Sequence, residues 1–153
     1  MGRLAAIVAL LTALSLGCDQ KLHDLAAPYV GTWVITSGQD TFTCVSGASG
    51  STPVTGSVVV GFGSQELLLD VRDTNHGMCV WTLEVSSTAA ILHAGPSCAA
   101  STETSNATVV PRDYTMTLVG SNGASVTSNF DWTILDDTCH HVQTETLLLM
   151  TPG

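Results

Sequence analysis

No stretch of this chain beyond residue 28 carries the 3.6-residue apolar stripe of an amphipathic helix. Short runs of Val, Ile and Leu lie between glycines, and Ser and Thr supply a quarter of residues 18–153. β-Branched threonine favours strands and costs helices something. The clearest alternation is Cys79-Val80-Trp81-Thr82-Leu83-Glu84-Val85. There Cys79, Trp81, Leu83 and Val85 share one face, with Thr82 and Glu84 opposite. Val126, Phe130, Trp132 and Ile134 share a face in the same way, and Tyr114–Leu118 alternates too. Strands are expected over 30–37, 41–46, 54–61, 65–71, 79–86, 88–94, 113–119, 125–134 and 139–149.

The links between these strands are short. Gly38-Gln39-Asp40 reads as one turn, Ser121-Asn122-Gly123 as a tight hairpin, and Gly61 and Gly63 mark a bulge or bend. Gly47–Ser51 reads as flexible loop. Parallel pairing needs crossovers of about a dozen residues or more, which this spacing denies. The expected fold is therefore all-β, an antiparallel meander of about eight or nine strands. A closed or nearly closed barrel comes first, because closure removes edge strands, and a two-sheet sandwich is the alternative. Residues 95–112 are the one long loop, a candidate edge strand or lid.

A chain of 153 residues suits one domain. Four Lys and Arg against 13 Asp and Glu give a formal net charge of -9. So few cations leave no patch to hold a phosphate backbone, and no nucleic-acid partner is expected.

The N-terminus reads MGRLAAIVALLTALSLGC. Arg3 precedes an uninterrupted apolar run from Leu4 to Leu16, too short at helical rise for a bilayer core of roughly 30 Å. Its place and composition fit an export signal over 1–17. Leu14-Ser15-Leu16-Gly17-Cys18 resembles the lipobox of bacterial lipoproteins, with Gly17 and Cys18 at the two most demanding positions and Ser15 and Leu16 off the usual pattern. The resemblance implies cleavage before Cys18, a lipid on its thiol, a tether over 18–28, and a β domain over 29–150. It also implies residence in the bacterial cell envelope, facing the periplasm or the outer surface.

With Cys18 as anchor, Cys44, Cys79, Cys98 and Cys139 remain, an even set suited to two disulfides in an exported chain. A hairpin turning near 85–88 places Cys79 opposite residues 94–96. That is close to Cys98, so Cys79–Cys98 is expected, and Cys44–Cys139 by elimination. The second bond makes sense only if the first and last strands meet, as they do in a barrel.

Tyr29-Val30-Gly31-Thr32-Trp33 resembles the Gly-x-Trp of the first strand in lipocalins, where the Trp plugs one end of a barrel holding a small apolar ligand. The Arg that packs on that Trp has no equivalent here.

Chemistry-bearing motifs are sparse. No CxxC, G-x-S-x-G or phosphate-binding glycine loop occurs. Asp136-Asp137 with His140-His141 is the nearest approach to a metal cluster, with His76 or His93 as distant helpers. Adjacent strand residues face opposite ways, so only one of the two histidines can serve a given site. Asp70 and Asp73 around Arg72 read as an ion-paired strand end, and calcium at Asp70, Asp73 and Asn75 lacks the loop spacing. No catalytic residue, metal or cofactor is expected. The expectation is a lipid-tethered β-domain with a structural or protein-interaction role in the envelope, its partners membrane lipid through Cys18 and another envelope protein. A binding module for a small apolar ligand is the alternative.

Overall fold

The computed structural model describes residues 23–77, 79–101 and 106–152. Ten strands follow a short helical turn at 23–26 and a 3-10 turn at Ala27–Tyr29. They are β1 (Gly31–Cys44), β2 (Ser49–Pro53), β3 (Ser57–Phe62), β4 (Leu68–Asp73), β5 (Trp81–Val85), β6 (Ala90–Ala94), β7 (Cys98–Ser101), β8 (Asn106–Val119), β9 (Gly123–Ile134) and β10 (Asp137–Pro152). Eight of them pair antiparallel in a closed ring, β1-β3-β4-β5-β6-β8-β9-β10, and β10 returns to β1. The expected all-β antiparallel architecture is present.

Two long strands carry the ring. β1 gives one edge to β10 along its whole length and divides the other, with Gly31–Val34 pairing β3 and Gln39–Thr43 pairing β2. β8 does the same, with Thr115 and Met116 pairing β6 while Asn106–Val109 pair β7. β2 and β7 thus lie off the ring at the same end, here called the upper end. The 3-10 turn Thr74–His76 fits between them. Thr74 Oγ1 accepts from the Ser57 N–H at 3.0 Å, and a Cβ on Gly77 (φ 69°) would lie 3.1 Å from Ala100 Cβ. A residue with a side chain at Gly77 would meet both an unfavourable backbone region and a neighbour.

The lower interior is apolar. Trp33, Leu69, Val71, Leu83, Val85, Ala90, Met116, Val126 and Leu147 are almost wholly buried there. Trp33 donates its indole N–H to the Tyr29 carbonyl at 2.8 Å, which ties the entering chain to β1. Ala26 is fully buried and His23 stacks on Phe62 at 4.5 Å, so the described part of the segment read as a tether packs on the body.

Several boundaries differ from the sequence reading. Residues 30–37 and 41–46 are one strand, β1, and Gly38-Gln39-Asp40 is no turn. Gly38 sits in register with Glu145, and a Cβ there would lie 2.9 Å from Val54 Cβ. The glycine marks close approach of another strand end, with a register shift between Ile35 and Ser37. Ser49–Ser51, read as loop, belong to β2, an exposed strand paired to β1. The long loop 95–112 contains β7 and the first residues of β8. The β8–β9 hairpin does turn at Ser121-Asn122, but Gly120 takes the positive φ of 68° rather than Gly123. Arg72 is exposed while Asp73 is buried, because the two alternate across β4, so the ion-paired strand end does not form there.

Both disulfides join the expected partners: Cys44–Cys139 links β1 to β10 across the ring's closing seam, and Cys79–Cys98 links the segment leading into β5 to β7. The hairpin that placed Cys79 near Cys98 turns through Ser86–Ala89, with Glu84 facing Ile91.

Candidate functional site

From Cys44–Cys139 the interior can be counted off in steps of two. Directly opposed residues of antiparallel strands project to the same face. Below the disulfide, Phe42 faces His141, Asp40 faces Gln143, and Gly38 faces Glu145. The rows continue onto β9 and β8: His141 to Phe130 to Pro111, Gln143 to Ser128 to Tyr114, Glu145 to Val126 to Met116. The middle row, Asp40–Gln143–Ser128–Tyr114, is polar across four strands. From the other side Asp73 ends β4 facing inward, and the Thr74–His76 turn drops His76 onto the same space.

Asp73, His76, Ser128, Gln143 and Glu145 are between 0% and 4% exposed. Asp73 Oδ1 caps the turn, accepting from Asn75 N at 2.8 Å and Asn75 Nδ2 at 2.9 Å. Its Oδ2 stands 3.4 Å from His76 Nδ1. Gln143 Nε2 donates to Glu145 Oε1. The His76 ring packs at 4.5 Å from Trp81 and edge-on to Phe130 at 4.4 Å, and Phe130 stacks on His141 at 4.8 Å. His141 Nδ1 meets Asp40 Oδ2 at 2.8 Å.

Much of this cluster lacks a protein hydrogen-bond partner. Asp40 Oδ1, Asp73 Oδ2, both His76 ring nitrogens, Glu145 Oε2, Ser128 Oγ, Tyr114 Oη and the indole nitrogens of Trp81 and Trp132 are buried without one. An unpaired buried polar group costs about 1–3 kcal/mol unless water or a guest satisfies it. Burial pushes Glu145 up to about 8, with the charge of Asp73 adding and the Gln143 bond opposing. Glu145 therefore holds a proton at neutral pH. Burial also lowers His76, against the pull of Asp73 and Asp40, which keeps its ring neutral. Burial holds the Tyr114 hydroxyl well above its ordinary value.

A cleft of about 140 Å³ at the upper end touches Asp40, His141 and Gln143 of this cluster. Phe130, Trp132 and His141 form its aromatic wall, Asp40, Asn75 and Gln143 its polar side, and Thr52, Pro53 and Val54 the rim beside β2. Trp132 and His141 are shared with an almost wholly apolar notch of about 270 Å³ that also touches Phe42, Ile134 and Cys139.

The histidine pair divides as strand geometry requires. His140 is on the outside, 3.0 Å from Asp131, which also accepts from Arg112 Nη2 at 2.6 Å. The His140 bond, aided by Arg112, holds the Asp131 carboxyl below the ordinary range. His93 pairs Glu84 at 3.2 Å on the outside, away from the cleft. Asp137 bonds the Ser46 backbone N–H and hydroxyl rather than either histidine. Among the described residues, the one trio of Cys, His, Asp or Glu donor atoms within 4.8 Å of one another is Cys44, Asp137 and Cys139, whose sulfurs are joined in a disulfide. Cys18 lies outside the described residues.

Sequence reading named Asp73 beside Arg72 and His76 as a distant helper to His140-His141, took Asp40 for a turn residue, and missed Gln143 and Glu145 altogether. The signal that finds them is the disulfide: it fixes Cys44 and Cys139 as inward, and alternation then reaches Asp40 and Glu145. No family model, no curated protein and no solved structure matches this chain.

Proposed function

We propose that this chain is an exported β-domain, tethered to the bacterial envelope by lipid on Cys18, that acts by docking an envelope partner rather than by catalysis. The observation that carries the docking role is the outer face of β8, β9, β10 and β1. Thr115, Thr127, Thr144 and Gln39 form one cross-strand row on it, and Thr117, Ser125, Thr146 and Ser37 the next. An open groove of about 480 Å³ runs along these hydroxyls. Glu145 is the one ionisable residue among those lining it, and short hydroxyl side chains lose little rotamer freedom when covered. Two disulfides support an oxidising compartment, where such bonds persist. The filling of the lower interior by Trp33, Met116 and Leu147 weighs against a chamber for an apolar ligand.

Fractionation of cells expressing Cys18→Ser tests the tether: the variant should move from the membrane to the soluble envelope fraction, and unchanged retention would defeat it. Thr127→Lys with Thr144→Lys tests the docking face. In-cell cross-linking should lose a defined adduct formed by the parent chain, while the doubly substituted domain keeps its denaturation midpoint.

A further inference from the structure

We infer that the upper cleft binds a small organic cation, a short-chain ammonium compound of about half a dozen heavy atoms. The charge balance points to it. Among the described residues the only permanent cations are Arg72 and Arg112, both exposed, and Arg112 is held by Asp131 on the outer face. The cleft, by contrast, is lined by Asp40, whose Oδ1 is buried with no protein hydrogen-bond partner, and Asp73 is buried in the same cluster. A neutral guest offers Asp40 a hydrogen bond without the countercharge of an ammonium, and an anion is repelled.

The donor atoms argue against a single metal ion. No three ligand atoms of Asp40, Asp73, His76, His141 and Glu145 fall within 4.8 Å of one another, whereas a bound ion needs convergence. The polar side of the cleft, Asp40, Asn75 and Gln143, instead offers side-chain oxygens to a guest with several N–H donors. Ring faces supply the rest: Phe130, Trp132 and His141 line the cleft, and a cation over such faces gains about 0.5–2 kcal/mol, the larger value when desolvated. Behind the cleft wall, fully buried His76, its Nδ1 3.4 Å from Asp73 Oδ2 and neither ring nitrogen hydrogen-bonded, packs edge-on against Phe130. A cleft of about 140 Å³ is close in size to an engineered cavity of roughly 150 Å³ that accommodates benzene, which sets the size limit. This reading does not depend on the tether, since no residue outside the described body takes part.

The test uses the full chain purified in detergent and two probes of one shape, n-propylammonium and n-propanol. Isothermal titration, with Trp fluorescence alongside, should show saturable binding of the ammonium and none of the alcohol at equal concentration. Asp40→Asn should weaken the ammonium at least tenfold. Asp131→Asn, on the outer face, should leave it unchanged. Trp132→Ala removes one ring of the cleft wall and should weaken the ammonium at least threefold, so it serves as the second variant if Asp40→Asn unfolds, and unchanged binding would count against the site. Equal binding of both probes, binding of Zn²⁺ alone, or binding of phosphatidylethanolamine vesicles without the free amine would each overturn the inference. Cys18→Ser should bind as the parent does, so failure of the tether and failure of the site read out separately.

Discussion

The two ends of the ring's interior are built from the same strands and differ in what those strands point inward. On β10 the sequence of inward residues runs Leu149, Leu147, Glu145, Gln143, His141, Cys139 from lower to upper end. On β1 it runs Trp33, Ile35, Gly38, Asp40, Phe42, Cys44. The lower end is held by burial of apolar area, at about 25 cal/mol per Å². The upper end contains three carboxyls and two histidines with many unmet hydrogen bonds, and two disulfides staple its strands. The difference teaches that covalent links are placed where packing is weakest, so that a polar chamber can exist at all.

The largest effect should come from cutting the staple at the closing seam. Replacing Cys44 and Cys139 together by Ala opens a loop with a sequence separation of 95, nominally near 4.7 kcal/mol in the chain-entropy model. Urea denaturation of the double variant measures it. Replacing Cys79 and Cys98, separated by 19, should cost about 3 kcal/mol. If the seam bond proves worth less than the shorter one, the upper end is held by packing after all and the contrast fails.

Truncation of buried rings comes next. Trp81→Ala should cost about 3–5 kcal/mol by denaturation, because Trp81 is 2% exposed and supports the His76 ring. Leu83→Ala, one step down the same strand face, should cost about 2–5 kcal/mol. A loss below about 1 kcal/mol at either position would mean that the face is not packed as described.

A pH series separates the two ends without removing atoms from the lower one. Glu145 is raised in the folded state to about 8, so the folded chain holds a proton that the unfolded chain releases. Its contribution to stability is full below the unfolded value of about 4.3 and is lost as pH rises toward 8. His76 is lowered in the folded state, so its neutral burial opposes folding as pH falls below about 6.5. The denaturation midpoint of the parent should therefore fall between pH 6.5 and 8 and level off above. Glu145→Gln should flatten that slope, while Leu83→Ala should shift the curve and leave its shape. A slope unchanged by Glu145→Gln would remove the upper end's claim to a buried proton.

The smallest effect belongs to the outside. Arg112→Ala removes an exposed pair with Asp131 and should change stability by less than about 1 kcal/mol. A larger loss would mean that surface charge, rather than the interior, carries the upper end.

Much of the lower end was legible in the amino-acid sequence. Alternation at Cys79–Val85 named an inward face that is buried throughout. It failed at β1, where Gly38 reads as a turn residue by composition yet serves a close strand approach that no local pattern reveals. At β10 both faces mix apolar and polar side chains, His140, Val142 and Thr144 against His141, Gln143 and Glu145. Period-two reasoning therefore has no preference there until the partner strand fixes the register. Polar side chains that face inward are what a hydrophobic pattern is blind to, and that is why the candidate site went unseen while its disulfide frame did not.

The pairing of β1 with β10 also orders events in time. Chains are made from the N-terminus, and β1 finds its full-length partner only in the last strand. While residues 45–136 emerge, one whole edge of β1 stays unpaired, a template for any other extended chain. Pairing across such a separation is slow. Cys44 reaches its disulfide partner Cys139 only through that pairing. The ring therefore stays open along the β1 edge until β10 joins it.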